Sequence, residues 1–210
     1  MTAVTISATF GAGGSVIGPA VAERLGLPFV DRAIPAAVAA EIGCSLEEVL
    51  AHDDRAEHGL GRLLSQAARF PNVTLGGLEV DLSSRGLPTE EDLVARTEQV
   101  IKQVAVGRGG VILGRAAQLV LAGRPRVLHA RLDGPRARRL AMVRESFGLG
   151  AREADRLLRD NDQARSAYVK HFYHADPADP ALYHLVLDST RLSAAACVDL
   201  IVAATGALSD

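Results

Sequence analysis

The chain is poor in lysine, cysteine and tryptophan. Of its 23 basic residues only Lys102 and Lys170 are lysine, and it has two cysteines and no tryptophan. Cys44 and Cys197 lie far apart and form no metal-ligand spacing, which argues against a disulfide framework or a zinc site. No run is long enough to cross a bilayer, and no cationic N-terminal segment leads into an apolar one, so a cytoplasmic location is expected. A net charge of −2 gives no general attraction to nucleic acid or to an anionic membrane, and neither is expected as a partner. The 210 residues, 48% of them apolar, suit a single α/β domain with a substantial core.

Five short apolar runs have the character of buried strands: Val4–Ser7, Phe29–Val30, Val111–Leu113, Val127–Leu132 and Leu185–Leu187. Helical patterns separate them: Ser15–Leu25, Arg32–Ile42, a segment opened by the capping-box signal Ser45-Leu-Glu-Glu48, Thr89 to about Val106, Pro135–Phe147, Arg152–Lys170, and a last helix from Ser193. This alternation predicts a doubly wound parallel sheet with ligands at the carboxyl ends of its strands. Residues 1–210 form one domain in this reading. Roughly 45–105 form a helical insertion on the acceptor side, with a Gly/Pro/Ser-rich loop at Pro71–Pro88, and roughly 148–176 form a helical lid.

The most informative segment is Val4–Gly18, V-T-I-S-A-T-F-G-A-G-G-S-V-I-G: a β-branched strand, then glycines, then a helix. Free N–H groups and the positive end of a helix dipole converge in such a turn and suit a phosphate. Against the form G-x-x-x-x-G-K-[ST], Gly13 and Ser15 match, Ala8 stands at the first glycine and Gly14 at the lysine. A dinucleotide-binding turn is the competing reading, because Gly11-Ala12-Gly13 opens G-x-G-x-x-G and Asp31 follows roughly 20 residues on. Val16 stands where its third glycine belongs. A glycine turn without ligand is the third reading.

Downstream, Gly114-Arg115 follows the third strand, where an arginine can clamp a phosphate or pair with a local carboxylate. Arg159, Asp162 and Arg165 recur at i, i+3 and i+6 on an arginine-rich helix. They are either a lid closing over phosphates, hinged at Gly148 and Gly150, or a solvated face. His171 and His174 lack a third ligand and are not assigned to metal, and Tyr168, Tyr173 and Tyr183 are assigned to packing.

With these residues in order, the glycine loop, L-G-L-P-F-V-D, V-I-L-G-R-A-A, D-x-x-R-x-x-Y-x-K and D-P-A-L-Y-H-L-V-L-D-S-T-R-L-S, the chain resembles the cytidylate kinase-like family. The resemblance implies the P-loop nucleoside monophosphate kinase fold, a mostly parallel five-stranded sheet, and transfer of the γ-phosphoryl of ATP, with Mg²⁺, to a nucleotide such as CMP. It implies that Gly11, Ala12, Gly13, Gly14 and Ser15 hold the donor phosphates, with Ser15 reaching magnesium through them. Arg115 would bind the acceptor phosphate, Asp162 the acceptor sugar or base, and Arg165 the transferring phosphoryl. Arg159 would be a further lid arginine, Asp31 would lie near the acceptor, and Arg139 is an additional acceptor-side candidate. Where lysine is missing, Lys170 or a lid arginine would substitute for its charge. The alternatives are a nucleotide-binding regulatory protein without catalysis and an NAD(P)-dependent oxidoreductase.

Overall fold

The structure is a computed structural model, and it describes residues 2–31 and 90–208. The chain starts with strand β1 (Ala3–Ala8), turns through the glycines into helix α1 (Gly14–Leu25), and forms the short strand β2 (Phe29–Val30). Helix α2 (Glu90–Val106) leads into β3 (Gly110–Leu113), a single helical turn α3 (Ala117–Val120) and β4 (Val127–Asp133). Two helices follow, α4 (Arg136–Phe147) and α5 (Ala151–Tyr173), then β5 (Leu185–Asp188) and α6 (Ala194–Gly206). Ser193 caps α6 by accepting the Ala196 N–H at 3.1 Å. The helices expected at 32–42 and after Ser45, and the loop expected at 71–88, lie outside the described residues.

The five strands are all parallel, in the order β2-β3-β1-β4-β5. A dinucleotide-binding sheet would place β2 beside β1. Here β3 lies between them, so the oxidoreductase reading of the glycine loop fails on topology.

Successive residues of a strand face opposite sides, and both sides of this sheet are covered. Val4, Ile6, Val111, Leu128 and Leu132 pack with Ile17 and Val21 of α1 and Val198 and Ile201 of α6. Ala3, Ile112 and Val127 pack on the other side with Ile101 of α2 and Leu121. This explains why the strands read as continuous apolar runs rather than alternating ones. The one polar member of β1's middle, Thr5, is buried and bonds His129 Nδ1 on β4 at 2.8 Å. A third cluster, Val143 of α4 with Ala154 and Leu158 of α5, packs against Phe10 of the glycine loop. It seats α5 at the carboxyl edge of the sheet. Among the described residues no helix is long and apolar enough to cross a membrane.

Candidate functional site

The loop between β1 and α1 owes its path to two glycines. Gly11 and Gly13 have φ of 78° and 74°, the left-handed region that glycine enters without steric cost. At Gly11 a Cβ would also lie 2.7 Å from the Arg139 carbonyl oxygen. Inside the turn, Ala12 N–H donates to Thr9 O, and the Val16 and Ile17 N–H groups donate to Gly13 O. The amides of Gly11, Gly13, Gly14 and Ser15 have no acceptor among the described residues. Unsatisfied donors at the start of a twelve-residue helix, with the exposed Ser15 hydroxyl beside them, form an anion cradle.

Three other segments hold the loop's main chain. Asp162 of α5 accepts the Phe10 N–H at 3.2 Å. Arg139 of α4 donates to Phe10 O at 2.9 Å, to Asp162 at 2.8 Å and to Gly134 O at 3.0 Å. Its side chain is only 9% exposed, so the Asp162 carboxylate neutralises a nearly buried guanidinium. Arg165, also on α5, donates through Nη1 to Ala8 O. After β5, the Ser189 hydroxyl donates to Ala12 O at 2.8 Å.

At the end of β4 the Asp133 carboxylate accepts from the Thr9 hydroxyl (2.9 Å), the Gly134 N–H (2.8 Å) and the Arg131 guanidinium (2.7 Å). Burial alone would raise the pKa of Asp133. The hydrogen bonds from Arg131, Gly134 and Thr9 overcome that and hold its carboxyl below the usual carboxylate range. Arg131 in turn lies over the Tyr183 ring, 5.6 Å from its centroid, and the Tyr183 hydroxyl donates to Pro177 O at 2.9 Å.

The space at the missing lysine is filled. A Cβ on Gly14 would lie 2.7 Å from the Ala8 methyl and 3.2 Å from Leu113 Cδ1. Ala8 is the other departure from the usual motif, so the two departures face each other in space.

Main-chain direction alternates along β1: Ile6 O takes the Gly114 N–H on the β3 side, and Thr9 N–H bonds Leu132 O on the β4 side. Ala8 O therefore faces the β3 side, and the Arg165 guanidinium sits at the carboxyl edge between β1 and β3. There Gly114, Arg115 and Ala116 take successive left-handed conformations, φ 77°, 57° and 50°. Two non-glycine residues in that region cost on the order of 1–3 kcal/mol each. Arg115 is thus carried on a strained turn at the end of β3 and is half-buried. Asp31, at the end of β2, is likewise half-buried.

Arg159 and Lys170 lie elsewhere. The buried stripe of α5 runs through Ala154, Leu158, Asn161, Ala164 and Val169, with Arg165 on the same face and Asp162 at its edge. At about 100° per residue Arg159 and Lys170 point to the opposite side of the helix. Both are exposed, and Arg159 pairs only loosely, 3.6 Å, with Asp155. The structure brings together Gly11–Ser15, Arg139, Asp162 and Arg165, and separates Arg159 and Lys170 from them. Thr9, Asp133 and Ser189 join the loop without having been singled out in the sequence. Asp133 carries a readable signal, because L-D-G at the end of β4 mirrors L-G-R at the end of β3.

A five-stranded parallel sheet in this order, with a glycine phosphate cradle between β1 and α1, is the fold of the P-loop kinases. Solved structures agree at low identity. A crystal structure of an uncharacterized protein from Eubacterium ventriosum ATCC 27560 matches with TM-score 0.67 and 17% identity over 99% of each chain. A gluconokinase from Sinorhizobium meliloti 1021 matches with TM-score 0.51 and 14% identity, over 98% of this chain and 91% of the other. A shikimate kinase from Bacteroides thetaiotaomicron matches with TM-score 0.50 and 13% identity, over 97% and 95%. No curated protein matches. The chain itself belongs to the cytidylate kinase-like family, whose family model matches residues 3–191.

Proposed function

We propose that this chain is a nucleotide kinase that moves the γ-phosphoryl of ATP onto a nucleoside monophosphate, with CMP or a related pyrimidine nucleotide as acceptor. The observation that carries the reading is the set of unsatisfied amides at Gly11, Gly13, Gly14 and Ser15 on the N-terminus of α1. These donors fit the donor phosphates. Magnesium would be carried mainly on those phosphates, with the exposed Ser15 hydroxyl as its protein contact. Bound magnesium supplies charge neutralisation between the phosphates.

The chain's own residues bind, orient and neutralise. The loop amides fix the donor, Arg115 on its strained turn faces the acceptor phosphate, and α5 covers the loop and keeps water out. No strong base is needed, because an acceptor phosphate already presents an ionised oxygen. Asp162 accepts from the Phe10 N–H and from Arg139, and in this reading it braces the donor loop.

One observation favours a second reading, a nucleotide-binding protein without turnover: the lysine site is closed by Ala8 and Leu113. A labelled-ATP assay against nucleoside monophosphates and small hydroxylated acceptors separates the two. Label on a pyrimidine monophosphate is the expected result. ATP binding without transfer to any acceptor selects the second reading, and neither binding nor transfer overturns both.

A further inference from the structure

Along one side of β1 and β4 the alternation of the strands lines up polar residues. Thr5 pairs with His129 and Ser7 with Arg131 in the β1–β4 register, and Thr9 bonds Asp133 one step further on. Gln118 of α3 and the segment between α5 and β5 reach onto this row, the latter through Pro177, Tyr183 and His184. Arg131 supplies its positive charge, from a side chain that is 9% exposed. A guanidinium that deep persists only where its donors are used and its charge is matched. Nε and Nη2 donate to one oxygen of Asp133, at 3.2 and 2.7 Å, and Nη1 donates to Pro177 O. The Tyr183 ring lies against the guanidinium, 5.6 Å to its centroid.

The second oxygen of Asp133 takes the Thr9 hydroxyl at 2.9 Å and the Gly134 N–H at 2.8 Å. Thr9 O in turn accepts the Ala12 N–H inside the glycine turn, so the carboxylate is one residue removed from the bend of the cradle. A carboxylate at the foot of a phosphate site repels the ligand whose site it helps to shape.

We infer that Arg131 is a positioning residue for the phosphate cradle: it cancels the charge of Asp133, so that this carboxylate pins Thr9 without repelling the bound anion. The inference rests on the cradle of the proposed function and applies to both readings given there. Arg131 touches no substrate; it acts through Asp133 and Thr9, from a seat that Pro177 and Tyr183 provide. Without it, burial acts on Asp133 unopposed by its strongest hydrogen-bond partner and moves the carboxyl up from its present low range. Above that raised pKa the bare carboxylate opposes the anion, and below it the neutral carboxyl does not. The other charged groups around Asp133 do not produce this pattern. Arg139 Nε, 3.8 Å from the second oxygen, belongs to a guanidinium that is charged throughout. Asp188, the register partner on β5, has Arg138 and Arg191 near it and is held below the usual carboxylate range by the Thr190 hydroxyl. His129, two residues before Arg131 on β4, is lowered to about 4 and is neutral above that. Tyr183 and His184 are common to every protein compared.

The test measures the Kd of Mg-ATP by titration calorimetry for full-length wild type, Arg131→Lys, Arg131→Gln and Arg131→Gln/Asp133→Asn. Each is measured at about pH 8 and about pH 5, with urea midpoints to confirm folding. Arg131→Gln should bind about tenfold more weakly than wild type at the higher pH and within about threefold of it at the lower. Adding Asp133→Asn should recover about fivefold at the higher pH, and Arg131→Lys, which keeps the charge, should stay within about threefold of wild type. A double variant that folds and binds no better than Arg131→Gln overturns the inference. So does a loss in Arg131→Gln that is equal at the two pH values, because a merely loosened loop weakens binding alike at both. If Arg131→Gln does not fold, Arg131→Met takes its place in the same comparison. If wild type binds no ATP, the cradle reading fails first. If wild type binds ATP and Arg131→Gln binds it equally well, this inference alone fails.

Discussion

The contact between positions 8 and 14 can be measured without knowing any substrate. Gly14→Ala places a methyl 2.7 Å from the Ala8 methyl and 3.2 Å from Leu113 Cδ1, inside the 3.4–4 Å of ordinary contact. Overpacking of this kind costs about 1–3 kcal/mol, and the gain from replacing glycine by alanine in a helix returns at most about 1 kcal/mol. Gly14→Ala should therefore destabilise by about 1–2 kcal/mol. Ala8→Gly loses one buried methyl and loosens the strand end, about 1–2 kcal/mol in sum. With Ala8→Gly already in place, the new methyl at position 14 has room, so the second change should be neutral or stabilising. The double mutant should thus lie about 1–3 kcal/mol above the sum of the two single changes. Urea unfolding of the four proteins, read from midpoints at constant slope, gives the coupling. Additivity within about 0.5 kcal/mol would mean that the two methyls do not compete for one space, and the steric account of the missing lysine would be refuted.

Two further outcomes follow from the side chains around the loop. His129 is buried on β4, stacked on His184 with centroids 4.9 Å apart, and burial followed by the nearby His184 lowers its pKa from 6.5 to about 4. A lowered histidine pKa means that the unfolded chain takes up a proton below pH 6.5 that the folded chain refuses until about 4. Stability should decline across that window by about 3 kcal/mol and then level off with respect to this group. Urea midpoints of wild type and His129→Gln between pH 7 and 4 check this, and parallel curves would remove His129 as the cause. Asp162→Ala strands the Arg139 guanidinium and the Phe10 N–H together, and should cost about 2–4 kcal/mol. Adding Arg139→Met should recover part of that loss in the same unfolding assay, whereas a cost under about 0.5 kcal/mol would show that the pair is not buried in solution.

The strands were legible because both faces of a parallel sheet are covered. Val4–Ser7, Phe29–Val30 and Val111–Leu113 announce themselves as apolar runs and lie within one or two residues of the observed elements. The phosphate cradle was legible because glycine at positions 11 and 13 is a local backbone requirement. Side-chain partnership was not. Arg139 looks like any surface arginine on an arginine-rich helix, and nothing local says that it is buried against Asp162. The i, i+3, i+6 spacing of Arg159, Asp162 and Arg165 suggested one face, but each step of three falls about 60° short of a full turn. Two steps carry Arg159 away from Arg165 and out to solvent. Asp133 escaped notice because a charge at a strand end resembles the first residue of a loop, although a parallel sheet puts every such residue on the ligand-facing edge.

The absence of lysine has a consequence for what holds the loop together. Nearly every polar main-chain group at positions 8, 10 and 12 that is not bonded within the turn goes to a side chain from elsewhere. Arg165 takes Ala8 O, Asp162 and Arg139 take the N–H and O of Phe10, and Ser189 takes Ala12 O. The loop's shape is therefore a tertiary property, shared among α4, α5 and the segment after β5, and Thr9 is tied to β4 through Asp133. Asp162 and Arg139 occupy the same hydrogen-bonded unit as Phe10, so α5 cannot swing clear of the loop at that point without breaking a nearly buried ion pair. The Asp162 turn of α5 therefore stays docked on the loop. A helix fixed at one point on the donor loop holds its side chains in the same place relative to that loop each time, so the loop and α5 behave as one unit.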